Sequence, residues 1–251
     1  MSETQFNCPK QAVILAAGLG SRLAKTSDDI KPLKLVGGMS LIQRNIQHFA
    51  HCGIEEVIII TGYHADILEA SLREDCKNIP VKLTFQFNAE FKKSNGISVL
   101  CAQKAVRGSF ILTMADHIFE PEMIRRAANT TPPQNGAILF VDYKLDQIFD
   151  MDDATKVNAI DGKVAAIGKQ IPEFNAVDTG LFICTPTLFD ALQKAAENSP
   201  HHDCSLSEGI ATLMKTGKMA VQDIENLHWQ DVDDEFMLEQ AEHMISDMKL
   251  H

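Results

Sequence analysis

The sequence predicts an α/β fold, with a mostly parallel mixed sheet, helices on both faces and a small β-rich portion on one side. Three observations predict it. Short β-branched runs alternate with helical periodicity through the first half of the chain. A glycine-rich bend and an acidic residue stand directly after two of those runs, where such sheets bind ligands. The segment 137–185 then changes character, to short strands separated by turns.

The elements follow in order. AVILAA (12–17) reads as a buried strand bounded by the turn Gly18-Leu19-Gly20. Between Ser40 and Cys52, Leu41, Ile42, Ile46 and Phe49 share one helical face, and Gly53 stands at the C-terminal cap. VIIIT (57–61) is a second buried strand, followed by a helix near 64–75. Leu83, Phe85 and Phe87 alternate with polar residues, as in a half-exposed strand. A helix near 97–106 leads into the strand FILTM (110–114), which ends at Ala115-Asp116-His117, and a helix near 121–130 comes next. This β-α repetition is Rossmann-like, and buried parallel strands require helical cover on both sides. AILFVD, TKVNAI, KVAAIG and TGLFIC are the strands of 137–185, with Asp161-Gly162 as a hairpin turn. They read as a β-rich insertion lying over the pocket, within a single domain spanning 1–251. Beyond Pro186 come helices, one strand (219–224) and a terminal helix from about 234.

Composition narrows the function. A formal charge of −11 argues against nucleic acid as the main partner, although local Lys and Arg residues with a metal suffice for one nucleotide. No apolar run approaches the ~20 residues that span a bilayer. The first residues, MSETQFNCPK, lack an apolar signal region, so a cytoplasmic protein without membrane insertion is expected. The six cysteines are scattered with no C-x-x-C pair, which suits reduced thiols. A homodimer is compatible with these features, and nothing in the sequence decides it.

LAAGLGSRL (15–23) followed by KPL (31–33) carries the first chemical signal. Small residues after a strand let backbone N–H groups approach a phosphate chain. Arg22 offers a planar fork of donors and Lys31 a compact charge. The bend matches neither G-x-x-x-x-G-K-[ST] nor G-x-G-x-x-G, which disfavours a P-loop kinase and a dinucleotide enzyme. Taken alone, the glycines also fit an ordinary turn. Together, LAAGLGSRL, KPLKLVGG and LIQRNI resemble the opening pattern of the nucleoside-triphosphate transferase superfamily, which activates sugar and alcohol phosphates. The resemblance implies a nucleotide contact along Leu15, Ala16, Ala17, Gly18 and Gly20, with Arg22 and Lys31 as catalytic cations. The acidic spacer AKTSDDI (24–30) departs from the pattern and has no assigned role.

An acidic residue after a buried strand, such as Asp116, is costly unless paired or bound to a cation; a strand-end turn or helix cap is the plain alternative. In similar enzymes an aspartate at this position and a second in a W-x-D-V-D segment hold Mg²⁺. Here those are Asp116 and Asp233, with Asp231 as the alternative and helix capping as the plain reading of Asp233. The N-G-x-S stretch implies nucleoside contacts for Asn95, Gly96 and Ser98, residue types that otherwise serve as caps.

DDATKV (152–157), GKVAAIGK (162–169), FNAVDTGLF (174–182) and SLSEGI (205–210) resemble the inositol-1-phosphate cytidylyltransferases, in this order, over nearly the whole chain from Gln11. That resemblance implies CTP and a small phosphorylated polyol as partners. Lys156 and Lys169 would reach the acceptor phosphate, and Asp178 and Thr179 the polyol hydroxyls; solvated strand faces are the plain reading of the lysines. Some relatives carry a fused membrane-embedded half. The chain ends at His251 without one, so a product released to solution is expected. His201-His202-Asp203-Cys204 lacks a second ligand pair for a transition metal and reads as a polar loop. Three rivals stand beside this reading. One is the same chemistry on phosphocholine or a hexose-1-phosphate with another nucleotide. Another is a GT-A-like glycosyltransferase, disfavoured by Ala-Asp-His in place of D-x-D. The last is a non-catalytic nucleotide sensor, disfavoured by the presence of Lys31 and Asp116.

Overall fold

The computed structural model describes residues 7–20, 30–199 and 201–248. Strand β1 (Gln11–Leu15) is buried along its whole length. After it come the short hairpin β2 (Leu35–Val36) and β3 (Met39–Ser40), helix α1 (Leu41–His51), β4 (Glu56–Thr61), α2 (Ala65–Asp75) and β5 (Lys82–Phe87). Helix α3 (Asn95–Leu100) leads to β6 (Phe110–Met114) and β7 (His117–Phe119). β5, β4, β1 and β6 lie side by side and parallel. Their ends carry the glycine bend and Asp116 at one edge of the sheet.

Strand alternation divides the core in two. Ala12 and Ile14 pack with Ile42, Ile46 and Phe49 of α1 and with Leu68 and Leu72 of α2. Val13 and Leu15, pointing the other way, join Ile97 and Val99 of α3. Helix α4 (Pro121–Ala128) covers the first face through Met123, Ile124 and Ala127. Helices α5 (Thr187–Glu197) and α6 (Leu206–Met214) cover the second through Leu188, Phe189, Leu192 and Ile210. Helix on both faces is the expected arrangement. Helix α3 is shorter than its apolar period: beyond Leu100 the chain tightens to i→i+3 bonds, Ala102 N to Val99 O and Gln103 N to Leu100 O, while Ala102 still faces the core.

The β-rich 137–185 region is built into the main sheet, and it also walls a cavity. Its strands β8 (Ala137–Asp142), β9 (Lys156–Ile160), β10 (Lys163–Gly168) and β11 (Ala176–Cys184) continue the same sheet. With β12 (Met219–Asp223) the order is β5-β4-β1-β6-β11-β8-β12-β10-β9. This half is mostly antiparallel, so the nine-stranded sheet is mixed. β9 also pairs with β11, so β9, β10, β12, β8 and β11 close into a ring. The Asp161-Gly162 turn has both φ angles positive, 50° and 72°, and joins β9 to β10 as an antiparallel hairpin. The cavity beside this half is walled by the loop between β8 and β9 together with Asp142 of β8 and Asp178 and Gly180 of β11.

A last strand, β13 (Trp229–Asp231), precedes α7 (Glu235–Met248) and pairs antiparallel with β7. Val36, Leu41, Ile118, Val232, Ala241 and Ile245 form a small core of their own beneath α7. No helix among the described residues is long and apolar enough to cross a membrane.

Candidate active site

The bend after β1 is held from the β4 side: Ala16 N donates to Ile60 O and Tyr63 N to Ala17 O, at 2.9 and 3.1 Å. Leu15, Ala16, Ala17, Gly18 and Gly20 line a cavity of about 400 Å³, together with Lys31, Asn95, Ser98, Asp116 and Asp233. Gly20 has φ +58°, and a Cβ there would stand 2.7 Å from Lys31 Cβ, so only glycine lets the bend and the lysine lie together. Lys31 itself starts a single 3₁₀ turn, Lys31–Leu33, with Pro32 at its first positions. Arg22 lies outside the described residues.

Three backbone links bring the distant aspartates together. Asp116 sits in the turn between β6 and β7. The β7–β13 ladder sets Asp231 opposite His117, and Val232 N donates to Asp116 O at 3.0 Å. Asp233 then arrives beside Asp116. Capping of α7 falls to its neighbour, since Asp234 Oδ1 accepts from Met237 N at 2.8 Å. The Lys31 ammonium is buried between the pair: it donates to Asp116 Oδ2 at 2.5 Å and forms a second, shorter bond to Asp233 Oδ1. Asp231 bonds Gln230 Nε2 at 3.2 Å instead and lines the neighbouring cavity.

The electrostatics follow from this packing. Burial lowers the Lys31 pKa, but the two carboxylates outweigh it and hold the ammonium above its ordinary value. Burial likewise raises the Asp116 carboxyl; the bond and charge of His117, with Lys31, overcome that and hold it well below the carboxylate range. Two carboxylates converging on one cation are the donor set a hard divalent ion takes, with the adjoining cavity leaving room for phosphate and water oxygens.

A second cavity, of about 1040 Å³, meets the first at Asn95, Met114, Asp116 and Asp233. Asp178 and Lys169 line it. Asp178 accepts from Gly180 N at 2.7 Å, and burial pushes its carboxyl up to about 6 against that bond and His117. Lys169 pairs with Asp153 at the cavity wall. Asn95 is anchored by accepting from Leu206 N at the start of α6, at 2.8 Å, and Ser98 by accepting from Asn88 Nδ2 at 2.9 Å, so neither caps α3, the helix that carries them.

Three expected contacts are placed elsewhere. Gly96 lines neither cavity; a Cβ on it would come 2.4 Å from Cys204 O, so it serves close packing against that loop. The Lys156 ammonium is spent on backbone, donating to Met151 O at 2.7 Å and Lys169 O at 3.1 Å, and it clamps the loop instead of entering the cavity. Thr179 is fully buried and donates to Phe140 O at 2.9 Å, on the face opposite Asp178. Asp203 is likewise structural: it accepts from Ser94 N and Oγ ahead of α3. Sequence reasoning did not place among the site residues His117, whose Nδ1 lies 2.8 Å from Asp116 Oδ1, or Trp229, on which its ring stacks. The signal was adjacency to the two aspartate motifs.

Comparison with known proteins identifies the fold and the family. The chain is 32% identical over 238 residues to the bifunctional IPC transferase and DIPP synthase of Thermococcus kodakarensis, covering 94% of this chain and 51% of that protein. It is 34% identical over 223 residues to the protein of the same name from Archaeoglobus fulgidus, covering 89% and 41%. The chain thus spans about half the length of the curated relatives it matches. The structure of the inositol-1-phosphate CTP transferase from T. maritima superposes with a TM-score of 0.82 at 24% identity, over 97% of this chain and 98% of that one. The family described as Nucleotidyl transferase matches residues 11–242, almost the whole of the described fold with both cavities, and the chain belongs to that family.

Proposed function

We propose that this chain transfers CMP from CTP to a small phosphorylated alcohol, with myo-inositol-1-phosphate as lead acceptor, giving CDP-inositol and pyrophosphate. The observation that carries the reading is the convergence of Asp116, Asp233 and Lys31 at the junction of two cavities. The smaller cavity, floored by the glycine bend, takes the triphosphate, and the larger takes the acceptor. An acceptor phosphate oxygen attacks the α-phosphorus as the bond to the β,γ-pyrophosphate breaks. The acceptor reacts as its dianion, so no base has to remove a proton. The protein contributes position and charge. Lys31 faces the charge on the phosphates, and the sequence pattern gives Arg22 the same role. Asn95 and Ser98 flank the nucleotide, and Asp178 accepts from acceptor hydroxyls while Lys169 attracts the acceptor phosphate. Members of this family generally use a divalent metal; here Mg²⁺ held by Asp116 and Asp233 supplies charge neutralisation of the nucleotide phosphates.

A second acceptor class is favoured by one observation. Asp142, Asp150, Asp153, Asp178 and Asp231 line the larger cavity against Lys144 and Lys169, which suits a phosphate ester with a cationic tail such as phosphocholine. Pyrophosphate release across CTP, UTP and dTTP, each with myo-inositol-1-phosphate, phosphocholine and glucose-1-phosphate, separates these. The highest kcat/KM is expected for CTP with myo-inositol-1-phosphate. A higher value for another pair moves the assignment to that pair, and nucleotide binding without release on any acceptor sinks the transferase reading.

A further inference from the structure

His117 is held in place from four directions. Its ring stacks on Trp229, with centroids 5.9 Å apart and planes at 18°. On another side lies Gly180, with φ +74°; a Cβ there would stand 2.5 Å from both Cδ2 and Nε2 of the imidazole. Its carbonyl accepts from Asn45 Nδ2 at 2.8 Å, and its backbone pairs with Asp231 in the β7–β13 ladder. The ring is mostly buried, and its Nδ1 lies 2.8 Å from Asp116 Oδ1. An ionised carboxylate oxygen only accepts, so Nδ1 carries the hydrogen and donates it.

The two oxygens of Asp116 are therefore divided: Oδ1 belongs to His117 and Oδ2 to Lys31, which also holds Asp233. Resting on the reading that Asp116 and Asp233 hold a divalent cation, we propose that His117 is a positioning residue for that site. Its Nδ1–H pins one carboxylate oxygen and so keeps the other aimed at Asp233. Trp229 and the missing side chain at Gly180 fix the ring that does this. Without the donor, only the Lys31 contact holds the carboxylate, and once a divalent ion displaces that ammonium the two-aspartate geometry is no longer pre-set. Partners that orient a metal ligand in this way are worth about 10- to 100-fold in metal affinity.

Two substitutions of similar size and polarity separate this role from simple packing. In His117→Asn the side-chain amide nitrogen stands as many bonds from Cα as Nδ1 does, so the donor is kept. In His117→Gln it stands one bond further out and misses Asp116 Oδ1. Mn²⁺ binding to the full chain without nucleotide, read from the EPR signal of the free ion, is the measurement, with thermal melts as a check on folding. Wild type and His117→Asn are expected to bind alike, and His117→Gln to bind about 10- to 100-fold more weakly. Gly180→Ala, which drives the ring from its seat while leaving His117 in the sequence, is expected to reproduce the loss. Equal binding by wild type, His117→Asn and His117→Gln, with Asp116→Asn defective, overturns the role of His117 alone. Equal loss in the Asn and Gln variants also overturns it, because packing rather than the donor then matters. Undiminished binding by Asp116→Asn, or none by wild type, overturns the metal reading on which the proposal rests.

Discussion

Lys31 shows how one residue holds a charged site together before substrate arrives. Two carboxylates in a partly desolvated cavity repel, and the ammonium seated between them removes that cost. The same contact places a competitor where a divalent ion would sit. If the ammonium leaves the pair one time in ten, apparent affinity for the ion falls about tenfold. Lys31→Met is therefore expected to bind Mn²⁺ about tenfold more tightly than wild type in the absence of nucleotide, by the same EPR titration, while losing transferase activity. Tighter metal with lost turnover separates the two duties of the lysine.

Asp178 gives a second prediction at this scale. Its folded-state pKa, about 6, lies above the ordinary 3.8, so folding favours the protonated form. Its contribution is fully present below about pH 4 and is lost as pH rises through about 6. Asp178→Asn, which keeps an acceptor for Gly180 N, is expected to leave Tm unchanged near pH 4 and to raise it at pH 8. The gap should open between those pKa values. A lower Tm at pH 8 would falsify the burial argument.

Single residues were legible in uneven ways. Asp116, Lys31 and the glycine bend announce themselves because each is costly or conspicuous after a buried strand. Thr179 was misjudged although the signal was available: neighbours on a strand face opposite sides, so Asp178 and Thr179 cannot both enter one cavity. Nothing local marks Lys156 as a clamp, since the Met151 and Lys169 carbonyls it reaches are placed only by the folded loop before β9 and the end of β10.

Among elements, those with continuous β-branched runs were readable, and those of three residues were not. β7 and β13 are too short to show a period, yet their ladder is what carries Asp233 to Asp116. The W-x-D-V-D pattern was visible; the strand pairing that gives it meaning was not. β1, β4 and β5 are tied at their other ends by Glu56, which is 8% exposed and accepts from Gln11 at 2.8 Å, Lys82 at 2.7 Å and Thr84 at 2.6 Å. Burial raises its pKa, but these bonds prevail and hold it at about 2. A depressed carboxyl stabilises above its unfolded value of 4.5 and loses that stabilisation as pH falls toward 2. Glu56→Gln is expected to cost about 2 kcal/mol at pH 7 by urea melting, and less at pH 3. An equal cost at both pH values would leave charge out of the explanation.

For the whole molecule, alternating β and α segments sufficed to predict two helical layers, because a strand buried on both faces needs both. They did not predict the antiparallel half as part of the same sheet. Hairpin signals say which strands are joined, whereas the β9–β11 and β8–β12 pairings join strands far apart in sequence. The separate-looking composition of 137–185 reflects a change of strand direction, not a change of layer.

Strand β11 changes neighbours along its length: Ala176 and Val177 lie against β9, while Phe182 to Cys184 lie against β6, with β8 alongside both stretches. The ladder with β8 is irregular between Asp178 and Phe182, where Gly180 stands. One consequence concerns where the polypeptide tolerates a break. Co-expressed halves divided at the Asp161-Gly162 turn keep this strand whole and should copurify and melt cooperatively. Halves divided between Thr179 and Gly180 cut the strand that, among the described ladders, joins β6 to β8 and β9, and should fail to reassemble.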